Sequence, residues 1–310
     1  QIQDQPIGRH GADWQLLSTA TPGAPNSAAA LLGSVNNLRF NEWLAGPAPG
    51  DDWFELYNLD SSPLDMGGLY LTDDPSTIGI TNSPIAPLSF IGGKKWALFK
   101  ADGNRSAGHD HVNFSLDQLG ETLRLYDPNL ALLDVVDFGL QTDGVSQGLL
   151  PDGAANVVSF AASATPGDAN YLPLPNVVIN EVLTHTDPPL EDAIELFNPT
   201  TNSVDLGGWY LSDSASDLKR FRIPDGTIIS NGGFTVFYQN QFGPVDGETD
   251  TPPLFTFNSA HGDGAYLSEA DGGGNLTGYR AHVNFEAAAN GVSFGRYQTS
   301  VGLDFVPLST

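Results

Sequence analysis

Two segments of the chain have the Gly-x-Ser-x-Gly spacing that surrounds the nucleophile of many hydrolases. They span residues 144–148 and 291–295, with Ser146 and Ser293 at their centres. In a hydrolase this motif sits on a strand-to-helix turn and is served by a histidine and an acid. No helical pattern follows either segment, and the motif recurs in both halves of the chain. It therefore indicates a strand of a repeat, and we predict that the protein is not an enzyme.

Carboxylates between apolar neighbours are the second candidate for chemistry. Burying an unpaired carboxylate costs several kcal/mol, so it needs a hydrogen-bond donor or a cation. The chain has only 12 Lys and Arg against 37 Asp and Glu. Oxygen-rich clusters of this kind suit Ca²⁺. The sequence predicts one calcium site in each half, formed by Glu42, Asp52, Glu55 and Asn58 and by Glu181, Asp192, Glu195 and Asn198.

An alternative interpretation of the same glutamates involves no metal. Each could accept hydrogen bonds from backbone amides, or face solvent on a sheet whose other face is buried. The dense Asp-x-Asp-x-Asp-Gly loops that identify calcium sites most clearly do not occur in the sequence. No cofactor other than calcium is predicted.

Two further residue groups could bind ligands. His109, Asp110 and His111 have side chains that zinc accepts. No third ligand is near and the second half has no counterpart, so we expect a solvated polar loop. Aromatic residues could form a sugar-stacking platform or pack in the core: Trp43, Trp53, Trp96, Trp209, Tyr57, Tyr70 and Tyr210.

The elements that would position these groups form a repeat. Residues 38–43, 52–58 and 64–73 parallel residues 177–182, 192–198 and 204–213. The end of the repeat occurs a third time near the N-terminus. We therefore predict orphan C-terminal strands of a preceding repeat at 1–26, a linker at 27–36, a first sandwich at 37–170, a linker at 171–176 and a second sandwich at 177–310.

The composition points to an all-β fold. Apolar residues fall in short runs separated by many of the 35 Gly and 22 Pro, and no long window has helical periodicity. Two tandem β-sandwich domains are expected. The chain has no cysteine, so apolar burial must hold the sheets together.

Charge and hydropathy exclude several partners. The net charge of −25 is opposite to what a nucleic-acid binder needs. No apolar run approaches the roughly 20 residues of a transmembrane helix, so membrane insertion is not expected.

Several ordered motifs resemble one family. They are Phe40-Asn41-Glu42 and Ile179-Asn180-Glu181, the Asp-x-x-Glu-Leu-x-Asn strands at 52–58 and 192–198, the Gly-Gly segments at 65–73 and 205–213, the strand at 120–125, and Ala-Thr-Pro-Gly-x-x-Asn at 20–26 and 164–170. This pattern resembles the bacterial type of lamin tail domain, in tandem copies. Residues 262–267 and Asn284 depart from it.

The resemblance implies an immunoglobulin-like β-sandwich without catalysis. It leads us to expect a structural, adhesion or spacer module of a larger secreted or cell-surface bacterial protein, extracellular or on the cell surface. Its partner would be a protein or polysaccharide surface, with strand addition possible through residues 5–21. The alternative is a calcium-assisted module that binds carbohydrate or protein beside a secreted enzyme.

Overall fold

The computed structural model describes residues 2, 5–46, 50–76, 79–242, 254–300 and 302–308. The chain divides into two compact units, Gln1–Asn170 and Tyr171–Thr310. Both are built almost entirely of β-strands. The prediction of an all-β chain with immunoglobulin-like sandwiches is confirmed.

The first unit contains thirteen strands within its described ranges. They are β1 (Ile7–His10), β2 (Asp13–Leu16), β3 (Leu38–Leu44), β4 (Trp53–Asn58), β5 (Leu64–Asp65), β6 (Tyr70–Thr72), β7 (Ser83–Pro84), β8 (Phe90–Ile91), β9 (Trp96–Lys100), β10 (Gly120–Tyr126), β11 (Leu132–Gly139), β12 (Ser146–Leu149) and β13 (Val157–Phe160). Short 3-10 helices lie at Val35–Asn37, Gly79–Thr81 and Arg105–Ala107.

Two sheets form the sandwich of the first unit. One has the order β13-β12-β3-β4-β9 and the other the order β11-β10-β6-β7. The strands β5 and β8 form a small ribbon. The sheets enclose a core of aliphatic and aromatic side chains that includes Trp43, Phe54 and Leu123, each 0 % exposed.

The second unit contains the remaining strands of the described chain. They are β14 (Leu172–Pro173), β15 (Val178–Leu183), β16 (Ala193–Phe197), β17 (Val204–Asp205), β18 (Tyr210–Ser212), β19 (Phe221–Arg222), β20 (Ile228–Ile229), β21 (Phe234–Tyr238), β22 (Asp263–Ala270), β23 (Leu276–Phe285), β24 (Ser293–Thr299) and β25 (Gly302–Pro307). A short α-helix, α1, spans Gln239–Phe242.

The strand order of the second unit repeats that of the first. Its sheets run β25-β24-β15-β16-β21 and β14-β23-β22-β18-β19, with the small ribbon β17-β20. Apart from the added β14, each strand takes the place of its counterpart in the first unit. The two halves therefore use their matching sequence motifs to build the same sheets.

The segment 171–176 differs from its prediction as a linker. Leu172 and Pro173 form β14, which pairs in parallel with β23. Leu174 is buried, and the Arg280 guanidinium lies 4.1 Å from the ring centre of Tyr171. The strand pairing and these two contacts attach the segment to the sheet.

The N-terminal strands β1 and β2 form a hairpin within the first unit. Leu16 and Leu17 are almost fully buried. Leu17 forms a bridge with Ala29 and the backbone of Ala30 donates to Leu16. Part of the predicted 27–36 linker is thus attached to this hairpin. Of the predicted segments, residues 1, 3, 4, 47–49, 77, 78, 243–253, 301, 309 and 310 lie outside the described residues.

No helix in the described part of the chain has the length and apolar character that a bilayer span requires.

Candidate functional site

Two glutamates face each other inside the first unit. The β3–β4 register places Glu42 directly opposite Glu55, next to a bulge at Asn41. Both glutamates and Asn41 are 0 % exposed. Like charges directly opposite in a sheet destabilise it, so this pair requires compensation from its surroundings.

The carboxylate of Glu42 is surrounded by donors from the end of the unit. The Ser146 hydroxyl donates to Oε1 at 2.5 Å. Thr165 donates its backbone N–H to Oε2 at 3.1 Å and its hydroxyl to the same atom at 3.0 Å. Both oxygens of Glu42 therefore accept hydrogen bonds from protein groups.

Both carboxylate oxygens of Glu55 also accept hydrogen bonds. The Asn41 side-chain amide donates to Oε1 at 2.8 Å, and the backbone N–H of Gly167 donates to Oε2 at 2.8 Å. The Asn41 amide also donates to Asp152 at 2.9 Å. Asn41 thereby links two carboxylates that would otherwise repel each other.

Burial changes the acidity of the pair. Desolvation raises the pKa of Glu42 from 4.5 to about 7, and the nearby charge of Asp152 acts in the same direction. Desolvation also raises the pKa of Glu55 well above its ordinary value, with Glu42 and Asp152 as further contributors. The hydrogen bonds oppose this effect because they stabilise the ionised form.

One loop, residues 163–170, supplies donors to both glutamates in addition to Ser146 and Asn41, and we call it the closing loop. A turn bond from Asp168 N–H to the Thr165 carbonyl, at 2.9 Å, shapes it. Gly167 has a φ of +82°, a value that favours glycine. The Asn170 side-chain amide donates to the carbonyls of Leu149 and Asn41, at 2.9 and 3.1 Å, and so fastens the loop to β12 and β3.

Ser146 has a structural role in this arrangement. It lies within β12, is 0 % exposed, and donates its hydroxyl to Glu42. A nucleophilic serine needs access to substrate and a base that accepts its proton. Ser293 begins β24 as Ser146 begins β12, so the serines of both Gly-x-Ser-x-Gly motifs lie on strands.

The second unit has the same glutamate pair in a more open setting. Glu181 lies opposite Glu195 next to a bulge at Asn180, whose amide donates to Glu195 at 2.7 Å. Both glutamates are half-buried. Among the residues that the structure describes, no loop equivalent to 163–170 donates to them.

The other predicted calcium ligands point to different partners. Asp52 accepts from the backbone of Gly46 and Leu116, and Asn58 donates to Ser62 and Gly92. Each is three residues from Glu55 in the chain, which is roughly 10 Å for extended backbone. The structure therefore does not gather the four predicted residues of the first unit around one point.

The predicted ligands of the second unit are also dispersed. Asp192 accepts from the Thr186 hydroxyl at 2.9 Å, while the Asn198 amide donates to loop carbonyls that include Asn202 and Ile229. Over the described ranges, no group of three or more His, Asp or Glu side chains is arranged to hold a metal ion. Calcium binding by these eight residues stays a prediction.

The remaining candidates have local contacts. His111 Nδ1 lies 2.7 Å from Asp102 Oδ2, in a polar turn region. Trp43 and Trp209 are buried, at 0 % and 5 % exposed, and Tyr57 is 8 % exposed. These three rings belong to the interior, so the seven aromatic residues do not form one exposed platform.

Sequence reasoning identified the glutamates but missed the groups that surround them. Asn41, Asp152, Thr165 and Gly167 were not singled out as site residues, although three of them lie in quoted motifs. The repeated Ala-Thr-Pro-Gly-x-x-Asn segment was the available signal. A loop motif that recurs in the same chain as a recurring carboxylate motif indicates that the two motifs interact.

Comparison with known proteins finds a similarity, which lies in the second unit. A search of curated proteins found no match. The lamin tail domain is an immunoglobulin-like, non-catalytic protein-interaction domain. Its family model, described as Lamin Tail Domain, matches one copy at residues 173–280, roughly a third of the chain.

Proposed function

We propose that the chain is a non-catalytic interaction and spacer module made of two tandem lamin-tail-type sandwiches. The family match supports this assignment for the second unit. For the first unit, the support is the shared strand order and the opposed glutamates beside a bulged asparagine. The module would belong to a larger secreted or cell-surface bacterial protein, as the sequence resemblance leads us to expect.

The observation that carries the non-catalytic assignment is the state of the polar groups in the first unit. Ser146, Glu42 and Glu55 are fully buried and bonded to one another or to the closing loop. They stabilise the sandwich instead of facing substrate. Binding must then use loops, sheet faces and sheet edges.

One sheet edge of the first unit has the features of a protein-binding surface. The strand β11 lies at the end of its sheet and exposes Leu132 and Val135, at 52 % and 44 %. Leu140, just beyond the strand, is 70 % exposed. Apolar groups beside an unpaired strand edge are typical of surfaces that bind other proteins.

A photo-crosslinking experiment tests this role. A photoreactive amino acid replaces Leu140 in the full chain, with a second variant labelled at the exposed Gly272, in the turn between β22 and β23, as the control. Proteins captured from the surface fraction of the source cells are purified and their binding to the unlabelled chain is measured. Saturable binding that Leu140→Asp weakens would support the proposal. Failure of every purified candidate to bind, or covalent labelling of Ser146 or Ser293 by a fluorophosphonate probe, would overturn it.

A further inference from the structure

The N-terminal hairpin reproduces the hairpin that ends the first unit. In the first unit, the Asn170 amide donates to the Leu149 carbonyl at 2.9 Å. In the N-terminal segment, the Asn26 amide donates to the Arg9 carbonyl at 2.8 Å. Arg9 follows Gly8 as Leu149 follows Gly148, so the same bond ties each loop to its first strand.

The loop at residues 20–26, which we call the N-terminal loop, has the shape of the closing loop. Ala24 N–H donates to the Thr21 carbonyl at 3.1 Å, as Asp168 does to Thr165 at 2.9 Å. Gly23 has a φ of +78°, close to the +82° of Gly167. The backbone of Thr21 and Gly23 therefore has the same local geometry as that of Thr165 and Gly167.

The glycines of the two hairpins have matching surroundings. A side chain at Gly8 would collide with Leu17 and approach Asn26, and a side chain at Gly148 would approach Asn170. Gly148 has one more close neighbour, the backbone of Asn41 and Glu42 on β3. That neighbour has no counterpart at Gly8 among the described residues.

The difference between the two hairpins is what they bind. In the first unit, β12 pairs with β3 through Gln147–Trp43 and Gly148–Glu42, and the closing loop donates to Glu42 and Glu55. Within the described ranges, β1 pairs only with β2, and the backbone N–H groups of Thr21 and Gly23 have no acceptor. Among the described residues, the outer edge of β1 therefore has no partner strand, and these two N–H groups of the N-terminal loop have no acceptor.

We propose that residues 5–26 are a docking hairpin for a strand pair of the β15–β16 type, supplied by another copy of this kind of unit. In such a unit the free edge of β15 is covered by β24, so docking exchanges β24–β25 for the hairpin. The β15-type strand then pairs with β1, and the N-terminal loop donates to its two opposed glutamates. This inference rests on the interaction role proposed above and names one partner for it.

The choice of occupant follows from the register. Gly8-Arg9 and Leu17-Ser18-Thr19 match Gly295-Arg296 and Leu308-Ser309-Thr310 in the sequence. The hairpin β24–β25 pairs through Gly295 with Glu181 of β15. Aligning the two segments by sequence at these residues places Gly8 opposite a residue of the Glu181 type, and Ile7 opposite one of the Val182 type.

The charge of the occupant fits the loop. Glu181 and Glu195 face each other, are half-buried, and receive no closing loop from the described residues. Backbone N–H groups and a threonine hydroxyl are suited to such carboxylates, because hydrogen bonds to an ionised acceptor are stronger than neutral ones.

A binding experiment tests the proposal with the full chain and a fluorescent synthetic peptide of residues 177–198. Fluorescence anisotropy is expected to show saturable binding. Gly8→Val, which disrupts the hairpin, should abolish binding, and Thr21→Val should weaken it about fivefold or more. Ser18→Ala is the matched control, because this exposed side chain makes none of the contacts above.

A register experiment covers the case in which peptide binding is weak. The chain has no cysteine, so Ile7→Cys introduces a single thiol. Under oxidation it should form a disulfide with a peptide carrying Val182→Cys and not with one carrying Val178→Cys, which lies roughly 13 Å further along the strand.

Absence of both binding and cross-linking, binding that survives Gly8→Val, or equal cross-linking of the two peptides would overturn the docking hairpin. None of these results bears on the Leu140 edge, so failure here is separate from failure of the proposed function.

Discussion

Thr165 donates both its backbone N–H and its hydroxyl to the carboxylate of Glu42, at 3.1 and 3.0 Å. The two residues are 123 positions apart in the chain. This contact joins the last loop of the first unit to one of its central strands. It converts a buried negative charge, which would oppose folding, into an attachment point for the end of the domain.

Removing the Thr165 hydroxyl should destabilise the first unit. Thr165→Val keeps the shape and the backbone bond but leaves Glu42 short of one donor, at a cost of about 1–3 kcal/mol. Chemical denaturation followed by tryptophan fluorescence measures this change, since four of the five tryptophans lie in the first unit. Thr142→Val is the matched control, because this exposed side chain of the first unit contacts no carboxylate of the described residues, and its effect should stay within about 0.5 kcal/mol. Equal effects of the two substitutions would contradict the role of Thr165.

Stability of the first unit should fall as the pH rises from about 4.5 towards about 7. The pKa of Glu42 is raised by burial from 4.5 to about 7, so the folded state binds more protons than the unfolded state in this window. Its contribution to stability is complete below the unfolded pKa and is lost as the pH passes the folded pKa. The raised pKa of Glu55 acts in the same direction. Denaturation midpoints measured at about pH 5 and about pH 8 should show the higher value at about pH 5.

A pair of variants isolates the contribution of Glu42 to this pH dependence. Glu42→Gln is neutral at every pH and should flatten the decline, whereas Glu181→Gln removes a half-exposed glutamate of the second unit and should leave the tryptophan-detected decline unchanged. An unaltered pH profile in Glu42→Gln would show that other groups cause it.

Close packing at Gly148 should make this position intolerant of any side chain. A Cβ there would overlap the carbonyl oxygen of Asn41 and crowd the Asn170 amide, so backbone must move. Gly148→Ala is expected to cost about 1–3 kcal/mol or more. Gly139→Ala, at the end of β11, is the control because its Cβ would meet nothing within 4 Å. The melting temperature of Gly148→Ala should be clearly lower than that of Gly139→Ala. Similar melting temperatures would argue against the close approach of β12 to β3.

The sequence was sufficient for the fold class because short apolar runs, turn residues and repeated motifs all depend on local chemistry. It also predicted Glu42 and Glu55 between apolar neighbours and close to each other in one cluster. It could not show that Thr165 and Gly167 reach those glutamates, because that contact depends on how the chain closes over more than a hundred residues. For a related reason the sequence did not show the contacts of segment 171–176, since Tyr171 and Arg280 are far apart in the chain.

Calcium titration decides between the two interpretations of the buried glutamates. All four carboxylate oxygens of Glu42 and Glu55 accept hydrogen bonds from protein groups. A cation could replace these donors only by releasing the closing loop, and each donor bond to a charged group contributes about 1.5–3 kcal/mol. We therefore expect millimolar Ca²⁺ to leave the melting temperature of the first unit unchanged, and EDTA to have no effect. The control is the double variant Glu42→Gln, Glu55→Gln. A calcium-induced rise in melting temperature that this variant abolishes would establish the metal site and show that the closing loop yields to the ion.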